Sequence, residues 1–158
     1  MIKKLKKIIT ILAESKKTLA LAESASGGYA SYLLTKTPGA SKVFKGAIIA
    51  YSLESKNKFF KISGSGWEKT QGVSKKIALQ LASGIRKKFN TDIGASLVGF
   101  AGPQTKKGVK AGTTFIALSS RNRRIVKKIV VKGSRDTIRK KTSAHLINLI
   151  YKSILPKA

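Results

Sequence analysis

Residues 18–28 read Thr-Leu-Ala-Leu-Ala-Glu-Ser-Ala-Ser-Gly-Gly, and the predicted fold starts from this stretch. The apolar run 18–22 is typical of a buried strand. The hydroxyl-bearing residues and the two glycines that follow indicate a tight turn and a helix N-terminus. We therefore predict a strand, a turn and a helix over 29–34, which ends before the turn signal Thr37-Pro38-Gly39.

The same alternation of strands and helices extends outward in both directions. Apolar residues at three- and four-residue spacing from Ile2 to Leu12 predict an amphipathic first helix. Further buried strands are expected over 44–51 and 93–100, and an antiparallel hairpin over 113–119 and 125–132. Helices are expected over 52–60, from Ser74 to about Phe89, and after Ser134. The predicted fold is a single α/β domain over residues 1–158, with a mixed sheet covered by helices.

The composition excludes several kinds of functional site. The chain has no Cys and one His, so a disulfide framework, a thiol nucleophile and a multi-His metal site are excluded. The apolar segment 8–13 is too short to span a bilayer. Because Glu14, Lys16 and Lys17 follow it in place of a cleavage site, we expect a cytoplasmic protein without membrane contact.

The charge is unusual, because 33 Lys and Arg face 6 Asp and Glu, which gives a net charge of +27. One interpretation is a nucleic-acid-binding module. The basic residues are spread over all predicted helices and loops without interleaved aromatic residues, which favours a compositional bias. We therefore expect at most non-specific binding of polyanions.

Three loops that follow predicted strands carry residues suited to chemistry: 23–28, 51–56 and 99–103. If their strands are parallel, the loops converge at one edge of the sheet. The first could bind a phosphate or form an oxyanion hole, although Ser24 and Ser26 could equally only cap a helix. Tyr51 and Lys56 would lie beside the same crevice. A buried Lys can act as a base, whereas a solvated Lys cannot.

Together these motifs resemble those of the CinA C-terminal domain family, whose members hydrolyse the amide of nicotinamide mononucleotide. The family pattern Ala-Glu-Ser-x-Thr/Ser-Gly-Gly matches residues 22–28 throughout. The other matching motifs lie in the same order along the chain: Pro38-Gly-Ala-Ser41, Tyr51-Ser-Leu-Glu-Ser-Lys56, Gly72-Val-Ser74, Val98-Gly-Phe-Ala-Gly-Pro103 and Gly133-Ser-Arg-Asp-Thr-Ile-Arg139.

The resemblance implies a nicotinamide-nucleotide amidase that produces nicotinate mononucleotide and ammonia in pyridine nucleotide recycling, and that needs no metal and no cofactor. It implies that Ser24 is the nucleophile, that Lys56 is its base and that Tyr51 belongs to the catalytic group. Gly27 and Gly28 would supply oxyanion donors, and Arg135 and Arg139 would hold the phosphate. The implied substrate-binding residues are Ser26, Gly27, Gly28, Ser41, Gly102, Arg135 and Arg139.

The sequence departs from the family pattern at two positions, Leu53 in place of Asn and Val98 in place of a hydroxyl residue. The alternative function is therefore a CinA-like protein of altered activity that acts as a nucleotide- or nucleic-acid-binding module. We expect the form without an N-terminal nucleotide-hydrolase domain, and a homo-oligomer. His145 is expected on the buried side of the last helix, outside the site.

Overall fold

A computed structural model describes residues 1–62, 70–103 and 109–155. Its helices and strands follow the predicted order, with boundaries that differ by a few residues. They are α1 (Ile2–Glu14), β1 (Leu19–Glu23), α2 (Tyr29–Thr35), β2 (Phe44–Ile49), α3 (Leu53–Phe60), α4 (Lys75–Lys88), β3 (Ile93–Gly99), β4 (Thr113–Ser119), β5 (Arg124–Val130) and α5 (Arg135–Ile154). A short 3₁₀ helix, Ala40–Lys42, precedes β2.

The five strands form one mixed sheet in the order β2-β1-β3-β4-β5. β1 lies between β2 and β3 and is parallel to both. β4 and β5 form the predicted antiparallel hairpin, and β4 is also antiparallel to β3. Because β1, β2 and β3 run in the same direction, the loops after them meet at one edge of the sheet. The single α/β domain with a mixed sheet is confirmed for the described residues.

Helices cover both faces of the sheet. On one face, α1, α2 and α5 pack against the sheet through a cluster that includes Leu12, Leu21, Leu34, Leu97 and Leu146. On the other face, α4 packs through a cluster that includes Ile77, Leu81 and Ile85. Side chains of β1 alternate between these two clusters, since successive strand residues point to opposite faces. All five residues of β1 are therefore buried.

The expectation of a buried strand over 44–51 is wrong for β2. Its residues are half-buried or exposed, and Ile49 keeps 50% of its surface accessible. The physical reason is topological, because β2 is an edge strand that pairs only with β1 among the described strands.

The placement of His145 on the buried side of α5 is also wrong. His145 is exposed, and its neighbours Ser143 and Leu146 occupy the buried face instead. The helical period turns position 145 toward solvent although both adjacent residues are apolar.

Residues 63–69, 104–108 and 156–158, which include the stretch Ser63-Gly-Ser-Gly66 and the basic Lys106 and Lys107, lie outside the described residues. Within the described part of the chain, no helix is both long enough and apolar enough to cross a membrane.

Candidate active site

Ser24 and Lys56 are in direct contact at the edge of the sheet where β1 ends. The Lys56 Nζ atom donates a hydrogen bond to the Ser24 hydroxyl oxygen at 3.1 Å and another to the main-chain carbonyl oxygen of Tyr51 at 3.2 Å. Ser24 follows β1 directly, and its N–H donates to the carbonyl oxygen of Leu97 on β3 at 3.0 Å. The sheet therefore holds the hydroxyl, and α3 brings the amine to it.

The start of α3 determines where Lys56 points. Ser52 caps the helix: its hydroxyl oxygen accepts the N–H of Ser55, and the Ser55 hydroxyl oxygen accepts the N–H of Ser52. This capping box fixes the first helical turn, and Lys56 is the buried residue of that helix. Gly72 lies against the aliphatic part of Lys56, where a methyl group on Gly72 would come within 3.2 Å of Lys56 Cδ. The same methyl group would come within 2.7 Å of Leu53 Cδ2, and the φ of +71° at Gly72 is a left-handed conformation that favours glycine.

Burial changes the protonation of Lys56. The side chain is 3% exposed, and loss of solvation lowers the pKa of its amine from 10.5 to about 8. Burial disfavours the charged form of an amine, which is the physical cause of this shift. At pH 7 a pKa of about 8 leaves roughly a tenth of the amine neutral, compared with well under a thousandth for a solvated lysine. Lys56 can therefore accept a proton from the hydroxyl it touches.

Glu23 organises the loop that carries Ser24, although it was not among the predicted site residues. Its fully buried carboxylate accepts four hydrogen bonds, two of them from backbone N–H groups at the start of α2. The donors are the Ser26 hydroxyl (2.6 Å), the Ala30 N–H (3.1 Å), the Ser31 N–H (2.8 Å) and the Ser31 hydroxyl. A carboxylate at a helix N-terminus is stabilised by these amides and by the helix dipole. Its presence inside an otherwise apolar strand was the signal in the sequence.

Arg139 holds the same loop from the side of α5. Its Nε and Nη2 atoms both donate to the carbonyl oxygen of Ser26, at 3.1 and 3.0 Å. The guanidinium packs against Gly27, where an added methyl group would approach it to 3.1 Å. Arg139 thus fixes the backbone of the 24–28 loop.

A cavity of about 720 Å³ opens beside the Ser24–Lys56 pair, which is within the usual volume range of small-molecule sites. It brings together five of the predicted site residues: Ser24, Tyr51, Lys56, Gly102 and Arg135. Leu53, Gln71, Val73 and Phe100 add mostly apolar wall, and Glu54 adds a carboxylate. Phe100 lies in the predicted 99–103 loop but was not named as a site residue, and Gln71 carried no recognisable signal in the sequence because its role depends on where its loop folds.

The other five predicted site residues do not line this cavity: Ser26, Gly27, Gly28, Ser41 and Arg139. Ser26 donates its hydroxyl to Glu23, and the N–H of Gly27 donates to the carbonyl oxygen of Ser24 at 2.9 Å. Gly28 is the left-handed residue that begins α2. Ser41 lies exposed on the 3₁₀ helix. Ser26, Gly27 and Gly28 therefore serve the structure of the loop itself, and the expected oxyanion donor at Gly27 is already engaged.

Arg135 joins two walls of the cavity. Its Nη1 atom donates to the carbonyl oxygen of Gly102 at 2.6 Å, and its Nη2 atom donates to the phenol oxygen of Tyr51. Arg135 and Tyr51 are exposed, so this bridge lies at the mouth of the cavity. In the described part of the chain, no group of three His, Cys, Asp or Glu residues is placed to hold a metal ion.

We predict that Glu23→Gln destabilises the protein by about 1–3 kcal/mol, because the amide NH₂ then faces hydrogen-bond donors that the carboxylate satisfied. Urea unfolding at pH 7 measures this. Glu54→Gln is the matched control, since Glu54 is exposed on the cavity rim and should change the free energy of unfolding by less than about 0.5 kcal/mol. Equal stability of the two variants would contradict a structural role for the Glu23 carboxylate.

Comparison with known proteins shows which protein family this chain resembles. The family model described as the CinA C-terminal domain matches residues 2–154. A CinA-like protein from Dictyoglomus turgidum is 36% identical over 149 residues, which cover 94% of this chain and 36% of that protein. The chain thus spans about a third of the length of this relative.

Solved structures agree on the fold. The competence or damage-inducible protein from Enterobacter asburiae superposes with a TM-score of 0.93 at 22% identity, covering 98% of both chains. The competence-damaged protein (CinA) superfamily protein from Enterobacter cloacae has a TM-score of 0.92 at 20% identity, covering 98% of this chain and 92% of that one. The family model and the relative together show that this chain belongs to the CinA C-terminal domain family.

Proposed function

We propose that this chain is an amidohydrolase that converts nicotinamide mononucleotide to nicotinate mononucleotide and ammonia, with Ser24 as nucleophile and Lys56 as its base. The observation that carries the proposal is the 3.1 Å contact between Lys56 Nζ and Ser24 Oγ in the wall of a cavity. A hydroxyl is a weak nucleophile unless a base removes its proton. The buried amine with a pKa of about 8 supplies that base without a histidine.

In the first half of the reaction, neutral Lys56 accepts the Ser24 proton while Ser24 Oγ bonds to the carboxamide carbon. The Lys56 ammonium then gives a proton to the amide nitrogen. The carbon–nitrogen bond breaks, ammonia leaves, and an ester remains on Ser24. The N–H of Ala25, which has no acceptor among the described residues and follows the nucleophile in the cavity wall, is our candidate oxyanion donor.

In the second half, water replaces ammonia. Lys56 accepts a proton from the water as its oxygen bonds to the ester carbon. The ester bond then breaks, and Ser24 recovers its proton from Lys56. The carboxylic acid product loses its proton to solvent. One base serves both halves, because it ends each half in the state in which it began.

Tyr51 and Arg135 have positioning roles in this proposal. The Tyr51 carbonyl oxygen orients the amine, and its phenol is held by Arg135 at the cavity mouth. Apart from the buried Lys56, Arg135 is the cationic side chain among the described residues that line the cavity, so its exposed guanidinium is our candidate contact for the substrate phosphate. Arg139 would act indirectly, through the loop that it holds.

We predict that Ser24→Ala and Lys56→Met each reduce ammonia release from nicotinamide mononucleotide by at least about 1,000-fold. A nucleophile and its base act as one unit, so the double variant should be scarcely slower than either single variant. Ammonia is measured by a coupled assay, with thermal unfolding as the check on folding. Lys58→Met, an exposed lysine two residues away on α3, is the matched control and should keep full activity.

The same assay has a pH dependence that follows from Lys56. Because the neutral amine is the base, kcat/KM should rise with pH and level off above about 8, where the amine is mostly deprotonated. A rate that is unchanged from pH 6 to 9, or undiminished turnover in Ser24→Ala, would refute the Ser/Lys mechanism.

The two departures from the family pattern have different surroundings. Leu53 lines the cavity, whereas Val98 is fully buried in the apolar cluster under α4 and does not line the cavity. The surroundings of Val98 therefore do not support the loss of a polar contact to substrate at that position. A hydroxyl there would be buried among apolar side chains.

We predict that Leu53→Asn changes KM for nicotinamide mononucleotide by several-fold with little effect on stability, because its side chain faces the cavity. Val98→Thr should leave kinetics unchanged and lower the free energy of unfolding by about 1–2 kcal/mol. Steady-state kinetics and urea unfolding of the two variants measure both effects. A kinetic change confined to Val98→Thr would contradict this assignment of the cavity wall.

A further inference from the structure

A second cavity, of about 820 Å³, lies at the opposite end of the sheet from the Ser24–Lys56 pair. It is bordered by Ile93, where β3 begins, and by the turn 120–123 between β4 and β5. Gly99, where β3 ends, lines the first cavity. A seven-residue strand spans roughly 20 Å, so the two cavities are separate sites.

The charge at this second cavity is strongly positive. Four cationic side chains line it, Lys17, Arg86, Arg121 and Arg123, against the single carboxylate of Asp92. The Asp92 Oδ2 atom accepts the N–H and the hydroxyl of Thr18, at 2.8 and 3.0 Å. In residues 1–62, 70–103 and 109–155, the four cations have no ion pair and no side-chain hydrogen bond. They are therefore available to a ligand.

The helix C-termini near the cavity do not neutralise the charge of these four cations. Carbonyl groups at the end of α1 accept backbone N–H groups, as in Lys17 N–H to Leu12 O at 2.8 Å. The end of α4 is closed in the same way, with the Thr91 N–H donating to Arg86 O at 3.0 Å. Each helix end carries about half a negative charge. The ends of α1, α4 and α5 together with Asp92 thus offset only about two and a half of four positive charges.

Two of the arginines are carried by a fixed turn. The N–H of Ser120 donates to the carbonyl oxygen of Arg123 at 2.8 Å, which closes the hairpin. The third, Arg86, packs its Cβ against Gly94 of β3. Its Nε atom is buried and has no acceptor among the described residues. A buried donor without an acceptor is costly, and a bound anion would offset the charge on that guanidinium.

We propose that this cavity binds a phosphate ester that carries an apolar group, of the nucleoside diphosphate class. Guanidinium groups bind phosphate oxygens in pairs, and three of them with one ammonium match a ligand of two phosphates. Leu118, Ile154 and Leu155 supply an apolar wall for a base or another ring. The cavity volume is within the range of small-molecule sites.

The test uses ADP as the probe, titrated calorimetrically into the whole chain at 150 mM salt. Binding should be saturable, and adenosine should bind at least 10-fold more weakly, because it lacks the phosphates. Arg121→Ala/Arg123→Ala should weaken ADP binding at least 10-fold. The matched control is Lys127→Ala/Lys128→Ala, which removes the same charge from exposed positions on β5 and should change the affinity less than twofold. Thermal unfolding checks the folding of both double variants.

Arg135→Ala shows which of the two cavities holds ADP. Because Arg135 lines the first cavity and not the second, this variant should leave ADP binding unchanged. The proposal is overturned if ADP does not bind, or if adenosine binds as tightly. Equal weakening in both double variants would also overturn it, since that is diffuse attraction of polyanions to the surface, the behaviour expected for nucleic acid. Loss of binding in Arg135→Ala alone would overturn it by placing ADP in the first cavity.

Discussion

The contact between a desolvated amine and a hydroxyl, Lys56 and Ser24, is the interaction on which the rest of the site depends. Burial of the charged amine lowers the free energy of unfolding, because water solvates the ammonium fully in the unfolded chain. The pKa of Lys56 in the folded state, about 8, lies below the ordinary value of 10.5. Between pH 8 and pH 10.5 the unfolded state therefore binds more protons than the folded state. Stability from this group therefore rises as pH increases from about 8 to 10.5, and neutral pH retains the cost. The surrounding fold stabilises an arrangement that the pair alone would not adopt.

Two separate supports bring the pair together. The parallel strands β1 and β3 fix Ser24 through the carbonyl oxygen of Leu97, and the capped start of α3 aims Lys56 inward. The loop between Ser24 and α2 is held from below by the Glu23 carboxylate and from the side by the Arg139 guanidinium. These two opposite charges do not touch each other, and both act on the backbone or hydroxyl groups of the loop. Together, Glu23 and Arg139 hold the loop that carries the nucleophile in one conformation.

Much of this could be predicted from the sequence, because it depends on local patterns. Apolar runs and helix caps placed the strands and helices, and the motifs at 22–28 and 51–56 led to the Ser24–Lys56 pair through the family resemblance. Burial by topology could not be predicted, as β2 shows, since an apolar strand does not reveal whether it lies at an edge. The roles of Arg139 and Val98 also depended on three-dimensional neighbours. A motif match assigns residues to a loop, but only packing decides which of them face the ligand.

The Ser/Lys mechanism requires that burial keeps Lys56 partly neutral at physiological pH. The most direct measurement is an NMR titration of the lysine side chains with isotope-labelled protein, in which the signal of Lys56 is assigned by its absence from Lys56→Met. We expect a midpoint near 8 for Lys56, well below the ordinary lysine value of 10.5. A Lys56 midpoint at the ordinary value would contradict the proposed role of the amine as a base.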